Sequence, residues 1–122
     1  MTEYEYAELI TSYATQGGTF FTIWLTILSA YALVAFFAGE KLNLSQIVWL
    51  NSLYIFSASL AIFGFSGSFR TQVYYINQLK LLKPDSPQIM NNYATWGITI
   101  IAILGIFATL KFMSDVRHPK EK

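Results

Sequence analysis

The sequence contains no cysteine and a single histidine, and each shortage excludes some chemistry. Without cysteine there is no disulfide, no thiolate metal site, no iron–sulfur cluster and no cysteine nucleophile. The one histidine, His118, lies between Arg117 and Pro119 in a polar C-terminal segment. It is therefore unavailable as a haem ligand or proton relay inside an apolar segment. We expect no metal and no organic cofactor.

Recognisable catalytic motifs are absent as well. The sequence has no GxSxG, HExxH, P-loop or dinucleotide-binding pattern. Its few carboxylates have no acid, base or metal-ligand partner at a suitable spacing. A net charge of +1 provides no basic field for nucleic acid. We therefore expect a protein that is not an enzyme and has no nucleic-acid partner.

Charge is scarce, and its distribution is the most informative feature of the chain. Of 122 residues, 54% are hydrophobic and 12% are charged, and three runs contain no charged residue at all: 9–39, 42–69 and 86–110. About 20 helical residues cross a hydrocarbon core about 30 Å thick, so each run is long enough to do so. The sequence predicts an all-α integral membrane protein, a single domain over 1–122 built as a bundle of three transmembrane helices.

The N-terminal segment, residues 1–16, is predicted to form a short amphipathic helix at the membrane interface. Thr2 and Glu5 have the spacing of a capping box. From Tyr6 to Tyr13, apolar residues recur at i, i+3, i+4 and i+7, which is typical of a helix with one apolar face. Gly17–Gly18 follows as a hinge. A frayed polar terminus is the alternative.

Turn signals separate the spans. The predicted segments are span 1 at 19–38, span 2 at 46–68 with a helical extension toward 83, span 3 at 92–112, and a polar tail at 113–122. Gly39 follows span 1, as a glycine often follows a helix. Asn43 and Ser45 are candidate N-caps for span 2, so spans 1 and 2 form a tight antiparallel hairpin. Pro84 and Pro87 end the extension, because a proline restricts the residue before it.

Small and hydroxyl side chains recur every three or four residues in each span. Helices in lipid associate through close backbone approach and interhelical hydrogen bonds, so these stripes predict helix contact faces. Asn51, the only amide well inside a span, needs a partner in an apolar medium, and Tyr31 is a candidate. The predicted packing residues are Thr22, Thr26, Ser29, Asn51, Ser57, Ala61, Gly64, Ser68, Thr95, Thr99, Ala102 and Gly105.

Aromatic and basic residues predict the orientation in the membrane. Trp24, Trp49 and Trp96 are placed to anchor the spans at the two interfaces. Five lysines and arginines flank the spans on the side that holds the C-terminus, against three in the 70–83 segment. Because the excess of positive residues stays in the cytoplasm, we expect the N-terminus outside and the C-terminus inside, in a bacterial inner membrane.

Two function classes remain. The first is an accessory or structural subunit that packs with itself, as a homo-oligomer, or with a larger membrane complex in the lipid bilayer. The second is a homo-oligomeric pore lined by the hydroxyl stripes. In span count and order the chain resembles the three-span phage holins, which implies a pore, but its tail at Lys120–Lys122 is shorter and less basic than is typical of that group. Pumps and voltage sensors need an intramembrane ionisable residue, and the three charge-free runs contain none.

Overall fold

The computed structural model describes residues 2–118 of the chain. It contains three α-helices, α1 (Glu3–Ala38), α2 (Leu44–Leu82) and α3 (Asn92–Arg117), with a 3-10 turn at Gly39–Lys41. Residues 2–118 contain no β-strand, so the prediction of an all-α fold with three helices is confirmed. Each helix is long and apolar enough to cross a membrane.

Side-chain caps begin all three helices. The Thr2 hydroxyl accepts a hydrogen bond from the Glu5 amide at 3.2 Å and starts α1. Asn43 caps α2 in a reciprocal capping box with Gln46, in which the two side-chain bonds measure 2.8 and 3.0 Å. Asn91 caps α3 by accepting from the Ala94 amide. Each cap satisfies backbone donors that have no partner inside the helix.

The first helix is continuous where the sequence predicted a hinge. Residues 3–38 form one helix through Gly17–Gly18, so the separate N-terminal helix expected over 1–16 is the first part of α1. The apolar residues of this part face α2, because Tyr6 and Tyr13 both pack on Tyr75 with ring centroids 6.2 and 5.8 Å apart. The apolar face of this part of α1 is therefore covered by α2, and the helix continues without a break.

Two glycines let α1 and α2 approach closely, in a reciprocal pattern. A Cβ added at Gly17 of α1 would lie 2.6 Å from the ring of Phe69 in α2. A Cβ added at Gly64 of α2 would lie 2.6 Å from the ring of Phe20 in α1. Each glycine therefore accommodates a phenylalanine ring from the opposite helix. Gly17 serves packing and not backbone flexibility.

Many buried positions recur every seven residues or at alternating steps of three and four residues. This spacing averages 3.5 residues per turn, which is typical of left-handed helix packing. In α1 four buried residues are seven apart. The buried series are Ile10, Gly17, Trp24 and Tyr31 in α1, Tyr54, Ala58, Ala61, Phe65, Ser68 and Gln72 in α2, and Thr95, Thr99, Ala102, Ile106 and Met113 in α3.

The hairpin of α1 and α2 is longer than α3. At 1.5 Å per residue, the 36 residues of α1 and the 39 of α2 extend about 54 and 58 Å, whereas the 26 of α3 extend about 39 Å. An exposed ion pair of 3.2 Å joins Lys83 to Glu3 at the far end. The connecting segment 83–91 then returns along the hairpin, where Pro87 and Ile89 line a groove with α1 and α2.

The polar tail predicted at 113–122 is only partly a tail. Helix α3 continues to Arg117, and Met113 is 1% exposed because it continues the buried series of α3. Arg117 Nη1 donates hydrogen bonds to the carbonyl oxygens of Gly39 (3.0 Å) and Leu42 (2.6 Å). Gly39 has a right-handed backbone, and a Cβ there would lie 2.9 Å from Val116. Residues 119–122 of the predicted tail lie outside the described residues.

Gly17 and its neighbour Gly18 form a matched pair for testing the close approach of α1 and α2. Gly17→Leu should lower the free energy of unfolding by about 1–3 kcal/mol, because the added side chain collides with Phe69. Gly18→Leu should leave it unchanged or raise it by up to about 1 kcal/mol, because nothing lies within 4 Å of a Cβ there and leucine favours helix. Thermal unfolding in detergent measures both, and equal losses would contradict the packing described.

Candidate functional site

Buried polar side chains form one connected chain across all three helices. Tyr31 Oη in α1 donates a hydrogen bond of 2.6 Å to Asn51 Oδ1 in α2. The Tyr31 ring stacks on the Tyr54 ring with centroids 3.9 Å apart and planes 10° apart. Tyr54 Oη then lies 2.5 Å from Thr109 Oγ1 in α3. We refer to these four residues as the tyrosine bridge.

Burial explains why both tyrosine hydroxyls of the tyrosine bridge are hydrogen-bonded. Tyr31 and Tyr54 are only 3% and 4% exposed, and a hydroxyl removed from water is destabilising unless it is hydrogen-bonded. Thr109 Oγ1 also lies 3.0 and 2.9 Å from the carbonyl oxygens of Gly105 and Ile106 in its own turn. A threonine hydroxyl has one proton, so Thr109 donates to these carbonyls and accepts from Tyr54.

The sequence indicated part of this site. Asn51 was expected to bond across to another helix with Tyr31 as a candidate partner, and the structure brings these two residues together. Tyr54 and Thr109 were not placed in any site. The sequence places Tyr54 three residues after Asn51, and this spacing puts both side chains on the same helix face. That spacing could have indicated that Tyr54 belongs to the site. Nothing in the sequence alone connected Thr109 to either tyrosine.

A second polar contact joins α2 to α3 nearer the start of α3. Thr99 Oγ1 lies 3.2 Å from Ser66 Oγ and 2.8 Å from the Thr95 carbonyl oxygen. Thr99 is 8% exposed. Its single proton is shared between the serine hydroxyl and its own helix, so this contact supplements the tyrosine bridge and is weaker than a dedicated hydrogen bond.

The packing stripes predicted for α2 and α3 lie in helix contacts. The buried members are Ala61, Ser68, Thr95, Thr99 and Ala102, and the half-buried members are Asn51, Ser57, Gly64 and Gly105. Gly105 faces the indole of Trp24 and the side chain of Leu28, and a Cβ there would lie 3.1 Å from the indole. Small residues on these two helices therefore admit bulky side chains from α1.

The stripe predicted for α1 is not covered by another helix within residues 2–118. Thr22, Thr26 and Ser29 are exposed, and they line a shallow outer groove of about 400 Å³. Thr22 and Thr26 each donate to the carbonyl oxygen four residues earlier, at 3.0 and 2.9 Å. The opposite face carries Gly17, Trp24 and Tyr31 at heptad spacing, and that face packs on α2 and α3. The threonines of α1 remain uncovered.

One of the three predicted tryptophan anchors is a core residue instead. Trp24 is 5% exposed, and its ring lies 5.4 Å from that of Phe21 and 6.4 Å from that of Phe65. Its Nε1 has no hydrogen-bond partner among residues 2–118. Trp49 and Trp96 are 68% and 59% exposed, as anchors would be. Aromatic side chains fill the bundle interior at the level of Trp24, and Phe65 is fully buried there.

The geometry of the tyrosine bridge supports helix association. The hydroxyls of the tyrosine bridge contact an amide, another hydroxyl and backbone carbonyls, and none of these groups is a base that could activate a nucleophile. Over the part of the chain that the structure describes, no three His, Cys, Asp or Glu side chains cluster as a metal ion would require. The tyrosine bridge can therefore hold three helices in register.

Comparisons with models of protein families, with curated proteins and with solved structures find no match to this chain.

Tyr31→Phe should lower the free energy of unfolding by about 0.6–1.7 kcal/mol, because it removes the hydrogen bond to Asn51 and keeps the ring stacking. Asn51→Leu combined with Tyr31→Phe should be less destabilising than the sum of the single changes, because both remove the same bond. Tyr93→Phe is the control, since Tyr93 is 89% exposed. Denaturant titration in detergent measures the natural chain and the four variants, and strict additivity would contradict the bond.

Proposed function

We propose that this chain is an integral membrane protein without catalytic activity, and that it serves as an accessory or structural subunit of a larger membrane assembly. The observation that carries this proposal is the outer face of α1. That face has the residue pattern of a helix contact, yet no other helix covers it within residues 2–118.

Helix α1 has two faces with heptad spacing on opposite sides. The inner one holds Gly17, Trp24 and Tyr31 and is buried. The outer one consists of small hydroxyl residues that step by four, three, four and three along the helix, all of them exposed: Thr15, Thr19, Thr22, Thr26 and Ser29. Small and hydroxyl residues let the backbones of two membrane helices approach closely. This spacing therefore favours packing of a helix from a partner protein against the outer face of α1.

The length of the hairpin supports a second contact surface outside the bilayer. Helices α1 and α2 exceed a 30 Å hydrocarbon core by about 25 Å each. We infer that the first part of α1 and the last part of α2 project from the membrane together, because Tyr6 and Tyr13 pack on Tyr75. The projecting end carries the Glu3–Lys83 ion pair. Charged side chains suit a surface exposed to water.

The same outer face of α1 favours a second candidate function, a homo-oligomeric pore. If several copies assembled with α1 toward a common axis, the row from Thr15 to Ser29 would line the passage. Hydroxyl groups can replace part of the water around a solute in such a passage. The two functions differ in what lies against α1: a different protein for the subunit, and other copies of α1 for the pore.

Single cysteines test which protein lies against α1, because the natural sequence has none. Thr22→Cys and Thr26→Cys, each labelled with a maleimide that carries a photoreactive group, should cross-link in native membranes to a partner protein of different mass. A ladder of multiples of 13.9 kDa would favour the pore instead. Leu104→Cys is the control, because Leu104 is 60% exposed on α3 and outside the threonine row. Cross-linking at Leu104 alone would overturn both functions.

Single cysteines introduced into this cysteine-free sequence also test the orientation of the chain in the membrane. We propose the N-terminus outside and the C-terminus in the cytoplasm of a bacterial inner membrane, from the excess of basic residues on the C-terminal side. A membrane-impermeant maleimide should label Tyr4→Cys in intact spheroplasts, because Tyr4 is 76% exposed at the projecting end. Glu40→Cys, in the turn at the other end, should be labelled only after permeabilisation. The reverse pattern would establish the inverted orientation.

A further inference from the structure

A long apolar groove lies between α2 and α3 on the outside of the bundle. Its volume is about 450 Å³, and it extends from Ile55 and Leu110 at one end to Arg70 and Trp96 at the other. Fifteen residues of α2 separate Ile55 from Arg70, which corresponds to about 22 Å along the helix. One leaflet of a bilayer contributes about 15 Å of hydrocarbon. The groove is therefore long enough to hold an extended acyl chain through a whole leaflet.

The charge of the groove is concentrated at one end. Arg70 is the residue that ends the charge-free run 42–69, and it is the one charged side chain that lines the groove. It is exposed, and it forms no ion pair within residues 2–118. Beside it, Trp96 is 59% exposed. Tryptophan favours the headgroup level of a bilayer, and a guanidinium binds a phosphate through two parallel hydrogen bonds.

A lipid fits this arrangement better than a second copy of the chain does. A copy in the same orientation would bring apolar or neutral residues toward Arg70, because the three long runs that face hydrocarbon contain no carboxylate. A phospholipid brings a phosphate at the headgroup level and a hydrocarbon tail below it. Both of its parts match the groove, which is cationic at the end near Arg70 and apolar along the rest.

We propose that the groove between α2 and α3 binds one acyl chain of an anionic phospholipid, with the phosphate at the Arg70 guanidinium. This inference rests on the membrane location proposed above, and it is independent of the partner of α1. Annular lipids exchange freely along any apolar helix surface, whereas this site would hold one lipid per chain with a preference for negative charge.

Native mass spectrometry of the full chain tests the headgroup contact. The protein is delipidated in detergent and titrated with phosphatidylglycerol or with phosphatidylcholine of identical acyl chains. Phosphatidylglycerol should saturate at one lipid per chain and bind about fivefold more tightly, the effect expected for one basic residue near an anionic headgroup. Arg70→Gln should abolish this preference. Lys111→Gln, which removes a charge at the other end of α3, should keep it.

A second pair of variants tests the groove itself. Ser59→Trp places an indole in the groove, because Ser59 lines it and is exposed. This variant should lose most of its retained lipid of either headgroup. Ala108→Trp is the matched control, since Ala108 is exposed on α3 outside the groove. Circular dichroism confirms that each variant keeps its helices before its lipid is counted.

Three results would overturn the lipid site. The first is binding that does not saturate, and the second is the same headgroup preference in Arg70→Gln as in the natural chain. The third is full lipid retention in Ser59→Trp accompanied by loss of a dimer, which would assign the groove to a second copy. Release of the chain from membranes by an alkaline wash would instead contradict the membrane location, and that assay is separate from the lipid titration.

Discussion

The close approach of α1 and α2 is the contact on which the rest of the structure depends. The ring of Phe69 packs against Gly17, and the ring of Phe20 packs against Gly64. The two helices therefore contact each other at two positions where only glycine leaves enough space. These contacts hold the hairpin in a single register, because a shift of either helix would place a phenylalanine ring against a larger residue. Two heptads beyond Gly17, the same register places the Tyr31 hydroxyl within reach of Asn51.

Helix α3 packs on this hairpin through contacts of a different kind. Gly105 accommodates the Trp24 indole, and the hydroxyl of Thr109 accepts from Tyr54. At its C-terminal end, Arg117 bonds to two carbonyl oxygens of the turn between α1 and α2. Interior hydrogen bonds matter here because an unpaired amide or hydroxyl in an apolar surrounding is destabilising. The packing of the Trp24 indole and the hydrogen bonds of Thr109 and Arg117 together therefore determine where α3 lies.

Packing of this kind leaves two outer surfaces with different chemistry. The hydroxyl row of α1 has the small residues of a helix contact, and three of its four threonines, Thr19, Thr22 and Thr26, bond their own backbone. The groove of α2 and α3 is apolar except at Arg70, which favours a lipid. The two surfaces lie on different helices, so a partner protein on α1 and a lipid between α2 and α3 are compatible in the same molecule.

Charge-free runs, the cap at Thr2 and the amide of Asn51 were sufficient to predict three helices, the start of α1 and one interhelical hydrogen bond, whereas Asn43 and Ser45 were alternative caps for α2. These features depend on local chemistry and on the length of an apolar run, which a sequence displays directly. The face of α1 that packs was decided by the tertiary structure. Both of its stripes have heptad spacing, and only the fit of Trp24 against Gly105, and of Gly17 against Phe69, selects one of them, because the volumes that must match come from other helices.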